Sequence, residues 1–378
     1  MTTSPAWWKN GIVYQIYPRS FADTTGNGIG DLNGIRARLD YLSWLGVDAL
    51  WLSPVYPSPN VDFGYDITDY CAIDPLFGSL EDFDHLVSEA HQRNIRIIMD
   101  LVLAHTSDQH PWFQQSRQDR TNPFHDYYIW ADPRPGKRPP NNWQSIIGGK
   151  YWQYDPACQQ FYGHMFYPQQ PDLNWHNPAV QEEMLKIFQF WLNRDVDGFR
   201  LDVFSSYFKD SLLRNQPYRL GRRPFEMQRH IYDHNRPELD DALRTIRKLV
   251  DGYPQRYLVG EPFLPTIASS ARYVGPDLLH ASFHLEFTTL PWDAAKILAS
   301  IQAWQAALGP DDWPTHVLNN HDVPRTASRF RCGREDGRLK VAAALLLTLR
   351  GTPYLYYGEE IGQRDIQLRR DQILDPVG

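Results

Sequence analysis

Three carboxylates stand at nearly even intervals along the chain: Asp202, Glu261 and Asp322, 59 and 61 residues apart. Each closes a short apolar run, "GFRLDVF", "RYLVGEP" and "THVLNNHD". Arg200 precedes Asp202 by two positions and so shares its face on a strand, and His321 adjoins Asp322. A charged pair in so apolar a segment is costly to bury unless it is paired or used. A fourth acid, Asp100, lies in the run "IRIIMDLVL". One such acid reads equally well as a helix cap or a surface ion pair. Four of them, with Arg200 and His321 beside them, read as a site. Clustered carboxylates suit metal-assisted hydrolysis or the cleavage of glycosidic bonds. Only His105 and His321 stand at the ends of apolar runs, too few for a ligand-rich metal cluster. Glycoside cleavage needs one carboxylate nucleophile and one carboxylic acid, and Arg200 is expected to hold Asp202 in position.

The elements that must position these groups alternate. Candidate strands cover 11–18, 48–54, 95–103, 198–204, 256–262, 281–287, 315–322 and 352–360. Between them run helical periods. Leu32, Ile35, Leu39, Leu42 and Leu45 step by three or four, as do Phe83, Leu86, Val87 and Ala90, and further helices are expected at about 237–251, 292–308 and 338–350. "SLED" at 79–82 is a capping box, and Asn177-Pro178 supplies an N-cap with proline at the first helical position. Eight strands alternating with helices predict an α/β protein, a (β/α)8 TIM barrel with its chemistry at the C-terminal strand ends. The rhythm breaks once. Residues 104–176, rich in Trp, Tyr, Pro and Gly, are expected to form a subdomain inserted after strand 3, over the barrel mouth. The expected organisation is barrel 1–103, insertion 104–176 and barrel 177–378.

Composition narrows the partners. A net charge of −7 without a long Lys/Arg run argues against nucleic acid. Three scattered cysteines, Cys71, Cys158 and Cys332, imply neither a disulfide framework nor a cysteine metal site. No segment offers about 18 uncharged apolar residues, and the N-terminus lacks a signal pattern. The expectation is a cytoplasmic protein, free of the membrane and of organic cofactors.

Several motifs occur together and in order: "DLVLAHTSDQH", "QPDLN", "DGFRLDV", "VGEP" and "NNHD", with "WWKNGIVYQIYPRSF" and "FGYDITDY" ahead of them. In this the chain resembles glycoside hydrolase family 13, the α-amylase family, in its α-glucosidase and oligo-1,6-glucosidase branch, from about residue 7 to 362. The resemblance implies a retaining α-glucosidase acting on small α-glucosides, with Asp202 as nucleophile, Glu261 as general acid/base and Asp322 as the third carboxylate. It also implies that Arg200, His105 and His321 position the nucleophile and the sugar, that Asp62 holds its hydroxyls, and that Tyr65 stacks on its face. Asp100 would support the site. A glucosyl transferase using the same residues is the alternative, and a non-catalytic relative a further one.

In "DTTGNGIGD" the residues Asp23, Thr25, Asn27, Ile29 and Asp31 alternate. This resembles a loop that binds Ca2+ or Mg2+ structurally, with the Ile29 carbonyl as one donor; a solvated glycine-rich turn is the other reading. Ala104 stands where much of the family has asparagine, so no second metal is expected there. Val203 after the nucleophile tends to accompany α-1,6 cleavage. The family's eighth helix and C-terminal β-sandwich are expected to be missing, leaving an apolar flank exposed.

Overall fold

The computed structural model describes residues 6–331 and 336–373, so Cys332 lies outside the described residues. Eight parallel strands follow in chain order: β1 (Val13–Ile16), β2 (Ala49–Leu52), β3 (Arg96–Leu101), β4 (Gly198–Leu201), β5 (Tyr257–Gly260), β6 (Ala281–Ser282), β7 (Thr315–Val317) and β8 (Thr352–Tyr356). They pair in the order β7-β8-β1-β2-β3-β4-β5-β6. The barrel is nearly closed. Between its two terminal strands, β6 and β7, Thr315 Oγ1 donates to the Ser282 carbonyl at 2.7 Å.

The strands are covered on both sides, which is why they read as continuous apolar runs rather than alternating ones. Inside the barrel, Val13, Trp51, Ile98, Val259, Phe283 and Tyr354 pack together, and Trp8 closes one end by stacking on Tyr257 at 5.1 Å. A larger cluster lies between strands and helices. Local signals set the helices. Ser79 and Asp82 form the capping box of Leu80–Gln92, and Asn177 caps Pro178–Leu192 by accepting from the Ala179 N–H. The expected helices at 237–251, 292–308 and 338–350 are Leu239–Val250, Ala294–Ala307 and Gly337–Thr348. The leucine period at 32–45 divides into two helices, Leu32–Arg36 and Leu39–Leu45, the second ended by Gly46 at φ 86°.

After β3 the chain forms a short helix, Pro111–Ser116, and a three-stranded antiparallel sheet from Trp130–Ala131, Trp152–Asp155 and Gln160–Gly163. A second long connection follows β4 before Leu239, and the sequence reading passed over it. It leans on the first: Trp143 Nε1 donates to the Arg214 carbonyl, and Asn142 and Gln216 exchange two hydrogen bonds. Beyond β8 the described residues contain no α-helix, only a 3-10 turn at Arg370–Gln372. Trp44, Val341 and Leu347, on helices Leu39–Leu45 and Gly337–Thr348, are exposed. No helix among the described residues is long and apolar enough to cross a membrane.

Candidate active site

β4 ends at Leu201, so the expected strand is shortened and Asp202 sits on the turn that follows, with Val203 at φ 34°. The Asp202 N–H still donates to the Leu101 carbonyl at 3.0 Å, and the Glu261 N–H to Leu201 at 2.9 Å, so β3, β4 and β5 fix both acids through the backbone. Gly260 is needed beside them. A Cβ there would lie 2.5 Å from the Phe204 ring and from Leu279, blocking the close approach that brings Glu261 to the turn.

Arg200 is the hub. It is 1% exposed. Its Nη1 meets Asp100 Oδ1 at 2.6 Å and Asp202 Oδ1 at 2.7 Å, and its Nη2 meets Glu261. The sequence reading gave it Asp202 alone. Its guanidinium also faces the rings of Trp51, at 5.2 Å, and Tyr65, at 5.8 Å. Asp100 lies opposite Arg200 in the β3–β4 register and accepts further bonds from Trp51 Nε1 and the Tyr65 hydroxyl. Burial pushes its carboxyl up to about 7, against the pull of Arg200.

The remaining groups form two chains. Gln15 donates to His321 Nδ1 at 2.9 Å, which assigns the ring proton to Nε2, 2.7 Å from the Tyr65 hydroxyl. The Tyr65 and His321 rings stack at 5.3 Å and 5°. In the second chain His105 Nε2 lies 3.0 Å from the Tyr65 carbonyl, and Gln170 donates to Asp62 at 2.8 Å while its amide nitrogen lies 3.1 Å from His105 Nε2. Burial lowers the pKa of both histidines, which favours their neutral form. Burial raises the Asp62 carboxyl to about 7, even though Gln170 bonds it. Asp322 differs from its neighbours: its side chain is 57% exposed, with Asn320 at 3.2 Å and His321 at 3.4 Å.

Asp62, Tyr65, His105, Arg200, Asp202, Glu261, His321 and Asp322 all line one cavity of about 480 Å³. A second cavity of about 510 Å³ adjoins it and shares Glu261 and Asp322. The sequence reading missed Gln15, Trp51 and Gln170, which orient the first rank of side chains. Gln170 opens the motif "QPDLN", and Gln15 is a lone amide in the apolar run of β1, a signal of the same kind as Arg200 in β4.

The 23–31 loop contributes nothing to this cavity. Asp23 accepts from the backbone of Thr25, Gly26 and Gly28, Asn27 accepts from Ile29, and Asp31 caps Leu32–Arg36 while accepting from Thr24. Its donors are all oxygens and carry two formal charges, a set that suits a hard divalent cation held with modest affinity.

The sequence profile of the alpha amylase catalytic domain matches residues 15–377. The chain belongs to the alpha-amylase family. A probable alpha-glucosidase of Rhizobium meliloti (strain 1021) is 45% identical over 98% of this chain and 70% of its own length. An oligo-1,6-glucosidase of Parageobacillus thermoglucosidasius is 42% identical over 96% and 66%. Among solved structures, the alpha-glucosyl transfer enzyme XgtA superposes with a TM-score of 0.95 at 44% identity, over 99% of this chain and 72% of that one. The chain thus spans 66–70% of the length of these two curated relatives. The branch of the alpha-amylase family read from the motifs accords with them.

Proposed function

We propose that the protein is a retaining α-glucosidase that releases terminal glucose from small α-glucosides. The observation that carries this is one guanidinium, Arg200, binding Asp202 and Glu261 through its two terminal nitrogens. Two carboxylates on one guanidinium fit the close spacing of retaining enzymes, about 5–5.5 Å, better than the wider gap that admits a water between them. Asp202 attacks the anomeric carbon as Glu261 gives its proton to the glycosidic oxygen; the C–O bond breaks, a glucosyl ester of Asp202 forms, and the alcohol leaves. Glu261 then takes a proton from water, whose oxygen attacks the same carbon and frees Asp202. Asp322, Asp62, His105 and His321 hold the sugar hydroxyls. Tyr65 presents its ring to the sugar from the cavity wall.

A second reading, transfer of the glucosyl group to an alcohol instead of water, is supported by the close likeness to XgtA. It uses the same ester, the acceptor hydroxyl giving its proton to Glu261. The 23–31 loop is read as a structural Ca2+ or Mg2+ site held by Asp23, Thr25, Asn27, Asp31 and the Ile29 carbonyl. A cytoplasmic location is supported by the free thiols of Cys71 and Cys158.

The test is glucose release from maltose and isomaltose by the parent chain and by Asp202→Ala, with NMR of the anomer first released. Turnover in the parent alone, with α-glucose appearing first, is expected. β-Glucose would overturn the retaining mechanism, and a folded but inactive parent would favour a non-catalytic relative. Disaccharide or glucoside products at high acceptor concentration would favour transfer.

A further inference from the structure

A third cavity, of about 530 Å³, shares no lining residue with the two at the barrel mouth. Helix Pro178–Leu192 forms one wall, with Glu183, Lys186 and Phe190 spaced by three and four along one face. The turn carrying Asp69 and Tyr70 forms another, and His110 and Trp112, at the start of helix Pro111–Ser116, a third. Its size is that of a small-molecule site, roughly 300–1,000 Å³.

The lining mixes aromatic surface with free donors and acceptors. Tyr70, Trp112 and Phe190 supply the rings. His110 is 5% exposed, and its Nδ1 accepts from the Trp112 N–H at 3.1 Å, which assigns the ring proton to Nε2. Among the described residues nothing accepts from that Nε2–H or from the Trp112 Nε1–H. A buried donor left unpaired is costly and rare, so the acceptor for His110 must come from the cavity. Burial lowers the pKa of His110 to about 3, so the ring carries no charge that would draw an anion. The acceptors are carboxylates. Asp69 Oδ1 takes the Cys71 N–H at 2.8 Å and Glu183 Oε1 meets Lys186 at 2.9 Å, while the second oxygen of each has no partner among the described residues.

Two acids against one lysine disfavour an anionic ligand, and the N–H donors disfavour a cation. A neutral ring rich in hydroxyls suits every group: it accepts from His110 and Trp112, donates to Asp69 and Glu183, and lays its C–H face on the aromatic rings. We infer that this cavity is a second, non-catalytic binding site for a neutral sugar. It stands whether or not the barrel mouth cleaves glucosides. Tyr70 links the two places, because its hydroxyl donates to the carbonyls of Val102 at 2.8 Å and His105 at 2.7 Å. A sugar packed on the Tyr70 ring therefore touches the support of His105.

Fluorotryptophan incorporated into the full chain gives each of its 13 tryptophans a fluorine resonance, and Trp112→Phe identifies that of Trp112. Glucose is expected to shift this resonance saturably, in the parent and equally in folded Asp62→Ala, which weakens sugar binding at the barrel mouth. Glucuronate, an anionic ring, and cyclohexanol, a ring with one hydroxyl, should leave it in place. Asp69→Ala combined with Glu183→Ala should weaken glucose binding about tenfold, as loss of hydrogen bonds to charged groups does. A Trp112 resonance unmoved by glucose, one moved equally by either control, or a double variant that binds as the parent does would overturn the proposal. So would a shift seen in the parent but lost in Asp62→Ala, which would make it an echo of the catalytic cavity.

Discussion

Strand β4 carries buried charge at both ends, and the two ends are built on opposite ratios. At its start one acid has several donors. Asp197 lies 2.7 Å from His91 Nε2 and accepts from the Ile97 N–H at 2.9 Å and Arg256 Nη1 at 3.1 Å. At its finish one cation has several acids, Asp100, Asp202 and Glu261. A carboxylate surrounded by donors is stabilised and has nothing left to do. Asp100 is itself well supplied, by Trp51 and Tyr65 besides Arg200. Asp202 and Glu261, which share that guanidinium with it, keep lone pairs to spare, and neither packing nor folding requires that surplus. The difference teaches that burial of charge alone does not mark a functional site, whereas a deficit of donors does.

Substitutions at four positions test the contrast. Asp202→Ala should lower kcat by on the order of 10⁴-fold or more, as loss of a nucleophile does, with little change in the urea midpoint. A large loss of stability would mean that the two ends are alike after all. Next, Arg200→Leu leaves three acids together without their cation and should cost about 3–5 kcal/mol in urea unfolding. Arg200→Lys should rescue it poorly, since an ammonium cannot reproduce the planar fork.

Asp197→Ala should cost less, roughly 1–3 kcal/mol, because the donors it leaves can partly reach water. It should spare turnover per folded molecule, which activity normalised to folded fraction would check. It also carries a pH signature. Asp197 raises the pKa of His91 above its usual 6.5, so their mutual stabilisation is complete below about that pH and fades as pH rises through the higher folded value. Thermal melts between pH 5 and 9 should therefore show a flatter profile in the variant. The smallest expected effect is that of Asp62→Asn. Burial raises the carboxyl to about 7, so the folded state loses stability as pH climbs from the unfolded value, 3.8, to about 7. The amide should remove that loss, lifting the melting temperature slightly at pH 8 while raising KM.

The barrel was legible because each buried strand is a run of apolar residues and the longer helices carry an apolar period, some with a cap as at Ser79 and Asn177. The residues of the site were legible for the converse reason: Arg200 and Asp202 interrupt such a run. What escaped was context. Nothing in the sequence neighbourhood of Gln170 says that it will touch Asp62, 108 positions away. The 202–238 connection lacks a period of its own because its partners lie in the insertion. The strand ends were read too long, at β6 and β8 as well as at β4 and β7, since most residues after Ser282, Tyr356, Leu201 and Val317 remain at least partly buried while their backbones turn away from the sheet.

The seam between β6 and β7 bears on how the molecule moves. β6 has two residues and β7 three, and a single threonine hydroxyl bridges them where a ladder would otherwise run. Like a cut cylinder, the barrel has one meridian along which it can breathe. Asp202 and Glu261 lie on one side of that cut and His321 and Asp322 on the other. Fluctuation there changes the width of the mouth without disturbing β1 to β4, and backbone amides along the cut should exchange with deuterated solvent before those of the opposite wall.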